Sequence, residues 1–228
     1  DVAEIMRICD SYDQHIVVHG GLTNLVGSTE TIGDEVVISM ERLNNIEEVD
    51  ISSRTITVQA GVILENVINA ADENDLLFPM NFGAKGSAQI GGVVSTNAGG
   101  LKVFKYGMTR NLVLGLEVVL PNGTIISSMK KIIKDNSAYD IKQMFIGSEG
   151  TLGIITKVIL RLVEKPRSRV SAFVGLNDYS KAINLLKFMD KSLGGNLSSF
   201  ELIWGRTYIL MTSPPSVKTW VDATFSEL

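Results

Sequence analysis

Of the 21 glycines in this 228-residue chain, thirteen fall in three short stretches, residues 20–27, 83–107 and 147–153. Glycine clustered without a collagen or linker repeat marks places where backbone must come close to something. Consecutive N–H groups in such loops make anion-binding concavities, and the missing side chain lets the anion reach them. The chemistry this points to is the holding of a phosphate-bearing ligand. The common templates for it do not fit. No G-x-G-x-x-G follows the first apolar strand, which argues against a Rossmann dinucleotide site. No G-x-x-x-x-G-K-[ST] occurs, which argues against a P-loop kinase or ATPase. Gly147-Ser148-Glu149-Gly150 is not a G-x-S-x-G nucleophile elbow, and no histidine follows it to complete a triad. The histidines are His15 and His19, and the one cysteine is Cys9, so neither a Cys-based metal cluster nor an internal disulfide is available.

The elements that must position these loops are short. Val2, Ile5, Met6 and Cys9 recur at helical spacing, which predicts a helix over residues 2–12 with Cys9 as a small core residue on its apolar stripe. Ile16-Val17-Val18 reads as a buried strand running straight into Gly20-Gly21, and Val36 to Ser39 as another. Thr55 to Gln59 alternates, the mark of a half-buried strand, and Ile63, Leu64, Val67, Ile68 and Ala71 form a helical stripe. A single short helix is expected around residues 91–97. Leu116 to Leu120 and Thr124 to Ser127 flank Pro121-Asn122-Gly123, a strong hairpin signal. Ile141 to Phe145 reads as a short helix and Leu152 to Leu162 as a strand. Pro166 then breaks the pattern. Beyond it a strand (170–176), a helix (179–192) and a strand (199–203) predict one β-α-β unit, and residues 206–228 show no clear period.

Composition narrows the class. The chain is 45% apolar and 20% charged, which excludes a disordered or fibrous chain. The longest apolar candidate, residues 112–120, is nine residues and contains Glu117, so no transmembrane segment is expected. A net charge of −4 argues against nucleic acid as a partner. Asp1, Glu4 and Arg7 interrupt the opening residues, so no signal peptide is read there, and a cytoplasmic protein is expected.

Taken together, the three glycine stretches resemble the FAD-binding fold of the vanillyl-alcohol-oxidase (PCMH) type. His19-Gly20-Gly21-Leu22-Thr23-Asn24-Leu25-Val26-Gly27 resembles its pyrophosphate loop. The second flavin-binding segment resembles Gly83-Ala84-Lys85-Gly86-Ser87, continuing through Ile90-Gly91-Gly92 and Thr96-Asn97-Ala98-Gly99-Gly100 to Tyr106-Gly107. Phe145-Ile146-Gly147-Ser148-Glu149-Gly150-Thr151-Leu152-Gly153-Ile154 resembles the third. The resemblance runs in family order over residues 2–166. Its wording is nearest to FAD-dependent 2-hydroxyacid dehydrogenases, including those for D-2-hydroxyglutarate, D-lactate and glycolate; Pro79 and the Lys85-containing segment point there. It implies that Gly20, Gly21, Leu22, Thr23, Asn24 and Gly27 serve the pyrophosphate. It further implies that Pro79, Gly86, Ser87, Gly91, Gly92, Thr96, Asn97 and Ala98 lie along the isoalloxazine, and Glu149, Gly150, Gly153 and Ile154 near the adenosine. Asn24 and Ala138 stand where the family carries glycine; Asn tolerates left-handed backbone, so the loop can still form. Some relatives attach FAD through a histidine just after the Gly pair. Leu22 occupies that place, which implies non-covalent FAD and leaves His19 as a loop histidine contacting its own backbone. His15 is expected at the surface. Lys85, Lys102, Lys105 and Arg110 read equally as an anion patch beside the flavin and as a solvated basic face.

The fold expected is therefore α+β: a PCMH-type FAD-binding domain of two α+β subdomains over residues 1–166, then a truncated, ferredoxin-like α+β cap over 167–228. The activity implied is oxidation of a D-2-hydroxy acid to a 2-oxo acid by hydride transfer to flavin N5, with a quinone or electron-transfer protein as acceptor. Such a reaction needs a base and cations for the carboxylate. In the resembling family these come from the cap, and no histidine follows residue 19 here, so the catalytic and metal residues are expected outside a chain truncated at both ends. The alternatives are a same-fold oxidase or reductase of a sugar lactone or cell-wall precursor, and a non-catalytic FAD-binding module.

Overall fold

Apolar periodicity decides the first elements. Helix α1 (Val2–Ser11) buries Met6 and Cys9 and turns its charges outward. Strand β1 (Ile16–His19) pairs in parallel with β2 (Val36–Ser39), with Ile16 opposite Val36 and His19 opposite Ser39. The sixteen residues between them form the first glycine loop. The computed structural model describes residues 1–213.

The centre of the molecule is a five-stranded antiparallel sheet ordered β3-β4-β8-β6-β7. It comprises β3 (Ile46–Asp50), β4 (Thr55–Gln59), β6 (Val113–Val119), β7 (Ile125–Ser128) and β8 (Ile154–Arg161). The β6–β7 hairpin closes at Pro121-Asn122-Gly123 as its sequence predicts: Gly123 N–H donates to the Leu120 carbonyl at 2.8 Å, and Gly123 sits at φ +76°. A Cβ there would lie 2.5 Å from the Ala3 carbonyl oxygen, so the turn also lets α1 pack down on the hairpin. Helix α2 (Leu64–Asp72) buries Leu64, Val67 and Ala71, the expected stripe. Between α2 and β6 lie β5 (Leu76–Leu77), α3 (Ile90–Ser95), α4 (Val103–Tyr106) and α5 (Thr109–Leu112). Helix α6 (Lys142–Phe145) precedes β8, and β9 (Val163–Glu164) returns to pair with β5. Ile56, Val58, Leu64, Val67, Val94, Val158 and Leu160 are wholly excluded from solvent and form one continuous core.

Contacts divide the chain into a unit of residues 1–172 and a second of residues 173–228. The second unit contains α7 (Tyr179–Leu193), started by Asp178, whose side chain accepts the Ser180 N–H at 2.6 Å, and ended by left-handed Gly194. That is the cap pattern a free-standing helix requires. Helix α8 (Gly205–Thr212) follows, where no period is legible; residues 214–228 of that stretch lie outside the described residues. Tyr179 stacks on Trp204 at 6.0 Å, and Phe173 meets Tyr208 at 5.5 Å. The strands expected over 170–176 and 199–203 are not formed. A strand exists only through a hydrogen-bonding neighbour, and neither segment finds one among the described residues, so Phe173, Val174, Leu202 and Ile203 remain exposed. Of the expected β-α-β unit the helix alone is present. Among the described residues no helix is long and apolar enough to cross a membrane.

Two expected outcomes test this packing. Gly61 donates its N–H to the Leu43 carbonyl, and a Cβ there would lie 1.9 Å from the Met40 carbonyl oxygen. Gly61→Ala should cost about 1–3 kcal/mol in denaturant unfolding. On the sheet's β3 edge, the Lys131 ammonium reaches Glu48 at 2.7 Å and Asp50 at 2.9 Å. The Ser53 backbone N–H, and then Lys131, hold the Asp50 carboxyl down from an ordinary 3.8 to about 2. A pKa lowered by folding means stability present above pH 4 and lost as pH falls through 2. The acid limb of the urea midpoint should flatten in Asp50→Asn. Lys131 is shifted upward by Glu48 and Asp50, so its contribution is lost only as pH rises beyond the ordinary lysine range.

Candidate functional site

The three glycine loops meet around one cleft of about 710 Å³. That falls within the roughly 300–1,000 Å³ usual for cofactor sites. The loop after β1 forms one wall, α3 and the turn behind it the floor, and the loop before β8 the far end.

The walls approach each other as bare backbone. A Cβ on Gly21 would lie 1.9 Å from the Ser87 carbonyl oxygen, and one on Gly91 would lie 2.8 Å from the Ala60 Cβ. Both glycines are thus required by packing. Gly92 differs: nothing lies within 4 Å of the position its Cβ would take, and it faces the open cleft.

The first loop is braced from its ends. His19 Nε2 donates to the Thr29 carbonyl at 3.0 Å, which places the proton on Nε2. Asn24 donates to Thr29 Oγ1 at 3.1 Å and accepts the Val26 N–H at 3.1 Å. Between these braces the backbone N–H groups of residues 20–25 donate to no protein acceptor among the described residues. The Thr23 hydroxyl likewise has no partner there. One further group is orphaned: Gln89 Oε1 is buried against Gly20 at the cleft wall and accepts no hydrogen bond. Left so, a buried acceptor costs roughly 1–3 kcal/mol. A row of free backbone donors beside a buried acceptor suits an elongated ligand carrying phosphates at one part and an N–H or O–H donor at another.

The third loop is set by its own backbone. Gly147 N–H donates to the Val94 carbonyl at 3.2 Å and Glu149 N–H to the Ser95 carbonyl at 2.9 Å. Gly147, Glu149 and Gly150 all take left-handed φ.

Thirteen of the residues singled out from sequence line this cleft: Gly20, Gly21, Leu22, Thr23 and Asn24; Gly91, Gly92, Thr96 and Ala98; Glu149, Gly150, Gly153 and Ile154. Five do not. Gly27 is a left-handed turn residue whose carbonyl accepts the Glu30 N–H. Pro79 is buried between core residues Phe78 and Met80. Gly86 and Ser87 lie at the surface, with the Ser87 carbonyl serving as the platform under Gly21. Asn97 turns its Oδ1 to the Arg110 N–H at 3.0 Å. The Thr96 hydroxyl bends back to the Gly92 carbonyl. Besides Gly27, the left-handed residue of the first loop is Leu22, at φ +53°, and not Asn24. The four basic residues do not form one patch. Lys85 pairs with Glu65 at 2.8 Å, Lys105 lies over the Tyr106 ring, and the Arg110 guanidinium is taken up by carbonyls. Partial burial, and then Arg169, push the Lys102 ammonium down. Sequence reasoning missed Gln89, although one polar residue between Ala88 and Ile90 in an apolar run was a usable signal. It also left out Phe82, Ser95 and Thr151, which line the cleft and carry no glycine mark.

The family model for an FAD binding domain matches residues 1–128. The chain belongs to that family. Its cofactor is FAD, and the free donors of the first loop and the orphaned Gln89 oxygen fit such a group. The chain is also 42% identical over 202 residues to a mitochondrial D-2-hydroxyglutarate dehydrogenase of Danio rerio, covering 89% of this chain and 38% of that protein. It is 42% identical over 202 residues to a putative mitochondrial D-lactate dehydrogenase of Schizosaccharomyces pombe, again 89% and 38%. A D-2-hydroxyglutarate–pyruvate transhydrogenase of Saccharomyces cerevisiae is 39% identical, with 89% and 41% covered. The chain thus spans about two fifths of these relatives. Among solved structures, alkyldihydroxyacetonephosphate synthase matches with a TM-score of 0.66 at 24% identity, over 73% of this chain and 30% of that one, and shares the fold.

These relatives overturn the expectation of a cytoplasmic protein, since the zebrafish and fission-yeast enzymes are named mitochondrial. That expectation rested on the charges at Asp1, Glu4 and Arg7. In the structure those residues belong to α1 and its N-cap, so they record the fold and not an address.

Gly92 gives a clean test of where FAD sits. Gly92→Ala removes a helix glycine and meets no protein atom, so it should stabilise the ligand-free FAD domain by about 0.5–1 kcal/mol. The added methyl should at the same time weaken FAD binding, as read by flavin titration beside a thermal melt.

Proposed function

We propose that this chain is the FAD-binding portion of a flavin-dependent dehydrogenase that oxidises a D-2-hydroxy acid to the 2-oxo acid. The observation that carries the substrate class is the 42% identity, over 89% of the chain, to enzymes named for D-2-hydroxyglutarate and D-lactate. The cleft supports the cofactor's part in it. FAD, held non-covalently, supplies a two-electron acceptor for the hydride at the substrate carbon. The residues of this chain do the holding. The N–H groups of Gly20, Gly21, Leu22 and Thr23 offer donors to the pyrophosphate without bringing in cations. Gly91, Gly92 and Ala98 keep the floor low enough for a flat ring. Gln89 Oε1 accepts from a ring N–H, which relieves its buried vacancy in bonding. Glu149, Gly150, Gly153 and Ile154 line the end that takes the adenosine. The base that removes the hydroxyl proton and the cations that hold the substrate carboxylate belong to the rest of the enzyme. Electrons then leave to a quinone or an electron-transfer protein.

Two measurements check this. FAD at a hundredfold excess over its Kd should add about 2.7 kcal/mol, read as a melting temperature raised by about 5–10 °C and a protein-bound flavin spectrum. The full-length protein loaded with FAD should reduce an artificial dye with at least one of D-2-hydroxyglutarate, D-lactate and glycolate; inactivity with all three removes the substrate reading.

A further inference from the structure

Arg110 stands outside the cleft, on α5, and its hydrogen bonds run in two directions. Its backbone is rooted in the second glycine loop. Asn97 Oδ1 accepts the Arg110 N–H at 3.0 Å, and the neighbouring Thr109 gives both its N–H, at 3.1 Å, and its hydroxyl, at 2.7 Å, to the Ala98 carbonyl. Its guanidinium reaches the third loop. Nη1 donates to the Gln143 carbonyl at 3.0 Å and to Gln143 Oε1 at 2.7 Å, and Nη2 donates to the Ile146 carbonyl at 2.5 Å. Those two carbonyls belong to α6 and the residue that ends it, where a helix leaves acceptors unfilled and carries its negative end. No carboxylate among the described residues pairs with this guanidinium, so ion pairing is not its use. Gly147 closes over it: a Cβ there would lie 3.4 Å from Nη2 and 3.4 Å from the Asn97 Cβ.

We propose that Arg110 is a positioning residue of the cofactor site, a fork that ties the second glycine loop to the third and so sets the ledge of residues 149–151 at the far end of the cleft. The inference rests on the assignment of FAD to that cleft. The ledge needs such a tie. Its chain runs through three left-handed residues, Gly147, Glu149 and Gly150, and two backbone hydrogen bonds hold it to α3. Three donor contacts from a rigid guanidinium fix Gln143 and Ile146, on the segment that leads into the ledge. A lysine at the same place brings the charge but one compact ammonium, which cannot make the two-armed contact.

The test compares Arg110→Ala, Arg110→Lys and Gln143→Ala in the FAD-loaded and FAD-free protein. Amide hydrogen exchange reports the ledge, and flavin titration with the visible spectrum of the bound flavin reports the cofactor. In Arg110→Ala the Gly147 and Glu149 amides should exchange at least tenfold faster, while amides of β4 and β8 keep their protection. The Kd for FAD should rise at least tenfold. Arg110→Lys should recover neither to within threefold of wild type. Gln143→Ala, which removes the Oε1 acceptor and leaves the two carbonyls, should move both in the same direction by a smaller factor, and it keeps the test open if Arg110→Ala does not fold. Unchanged exchange at Gly147 and Glu149 overturns the proposal, and so does full rescue by lysine, which would make charge the operative property. Faster exchange with unaltered FAD affinity overturns the link to the cofactor and leaves the FAD assignment to be judged by Gly92→Ala.

Discussion

The structure depends on backbone meeting backbone. Gly21 rests on the carbonyl of Ser87, Gly91 on Ala60, and Gly61 on the carbonyl of Met40, each at a separation that a single methyl group would violate. These three contacts hold the β1 loop, α3 and the end of β4 in one block. They fix the cleft's width before any side chain is considered. They also explain why the loop after β1 can leave its N–H groups free. With its other side pressed against the second loop, it cannot fold over to satisfy them internally.

Under the function proposed above, that constraint bears on how a ligand with two phosphates would be held by a chain of net charge −4. Two of the nearby cations are engaged elsewhere: Lys85 with Glu65, Arg110 with the carbonyls around α6. What remains is a run of peptide dipoles. Each is weaker than an ammonium, but it is already oriented and carries no rotamer entropy to lose. The arrangement gives up long-range attraction and gains a fixed geometry. It also leaves Lys85 and Arg110 to structural contacts, so the basic side chains form no single anion patch.

How much was legible follows from what each element buries. Helices α1 and α2 were readable because one face is apolar and the other is not, the β6–β7 hairpin because Pro121-Asn122-Gly123 leaves one turn possible, and β8 because a continuous Ile- and Val-rich run marks a strand buried on both faces. Strand β3 was not, because Ile46-Glu47-Glu48-Val49-Asp50 is an edge whose carboxylates are answered by Lys131 and Lys157, residues distant in sequence. The four-residue α4 and α5 and the two-residue β5 are too short to show a period at all. The segments at 170–176 and 199–203 show the opposite failure: their apolar, β-branched content is that of strands, but pairing is a property of two segments and cannot be read from one. At the cleft, positions marked by glycine were found and Gln89 was not, because an unsatisfied oxygen is visible only once its neighbours are in place.

The first loop shows how such a site is kept ready. Leu22 holds a left-handed backbone that costs a non-glycine residue about 1–2 kcal/mol. Leu25 and Val26 stand fully or largely in solvent. Neither feature benefits an empty loop. What opposes them is the pair of braces that converge on Thr29: His19 on its carbonyl, Asn24 on its hydroxyl, each contributing about 1 kcal/mol. The balance is close to even, so the loop is held open with little energy to spare. A ligand that met its N–H groups would gain those contacts without first having to order the chain. Asn24 belongs at its position for this reason: its own backbone is not left-handed, so glycine there would relieve no strain and would remove the brace to Thr29.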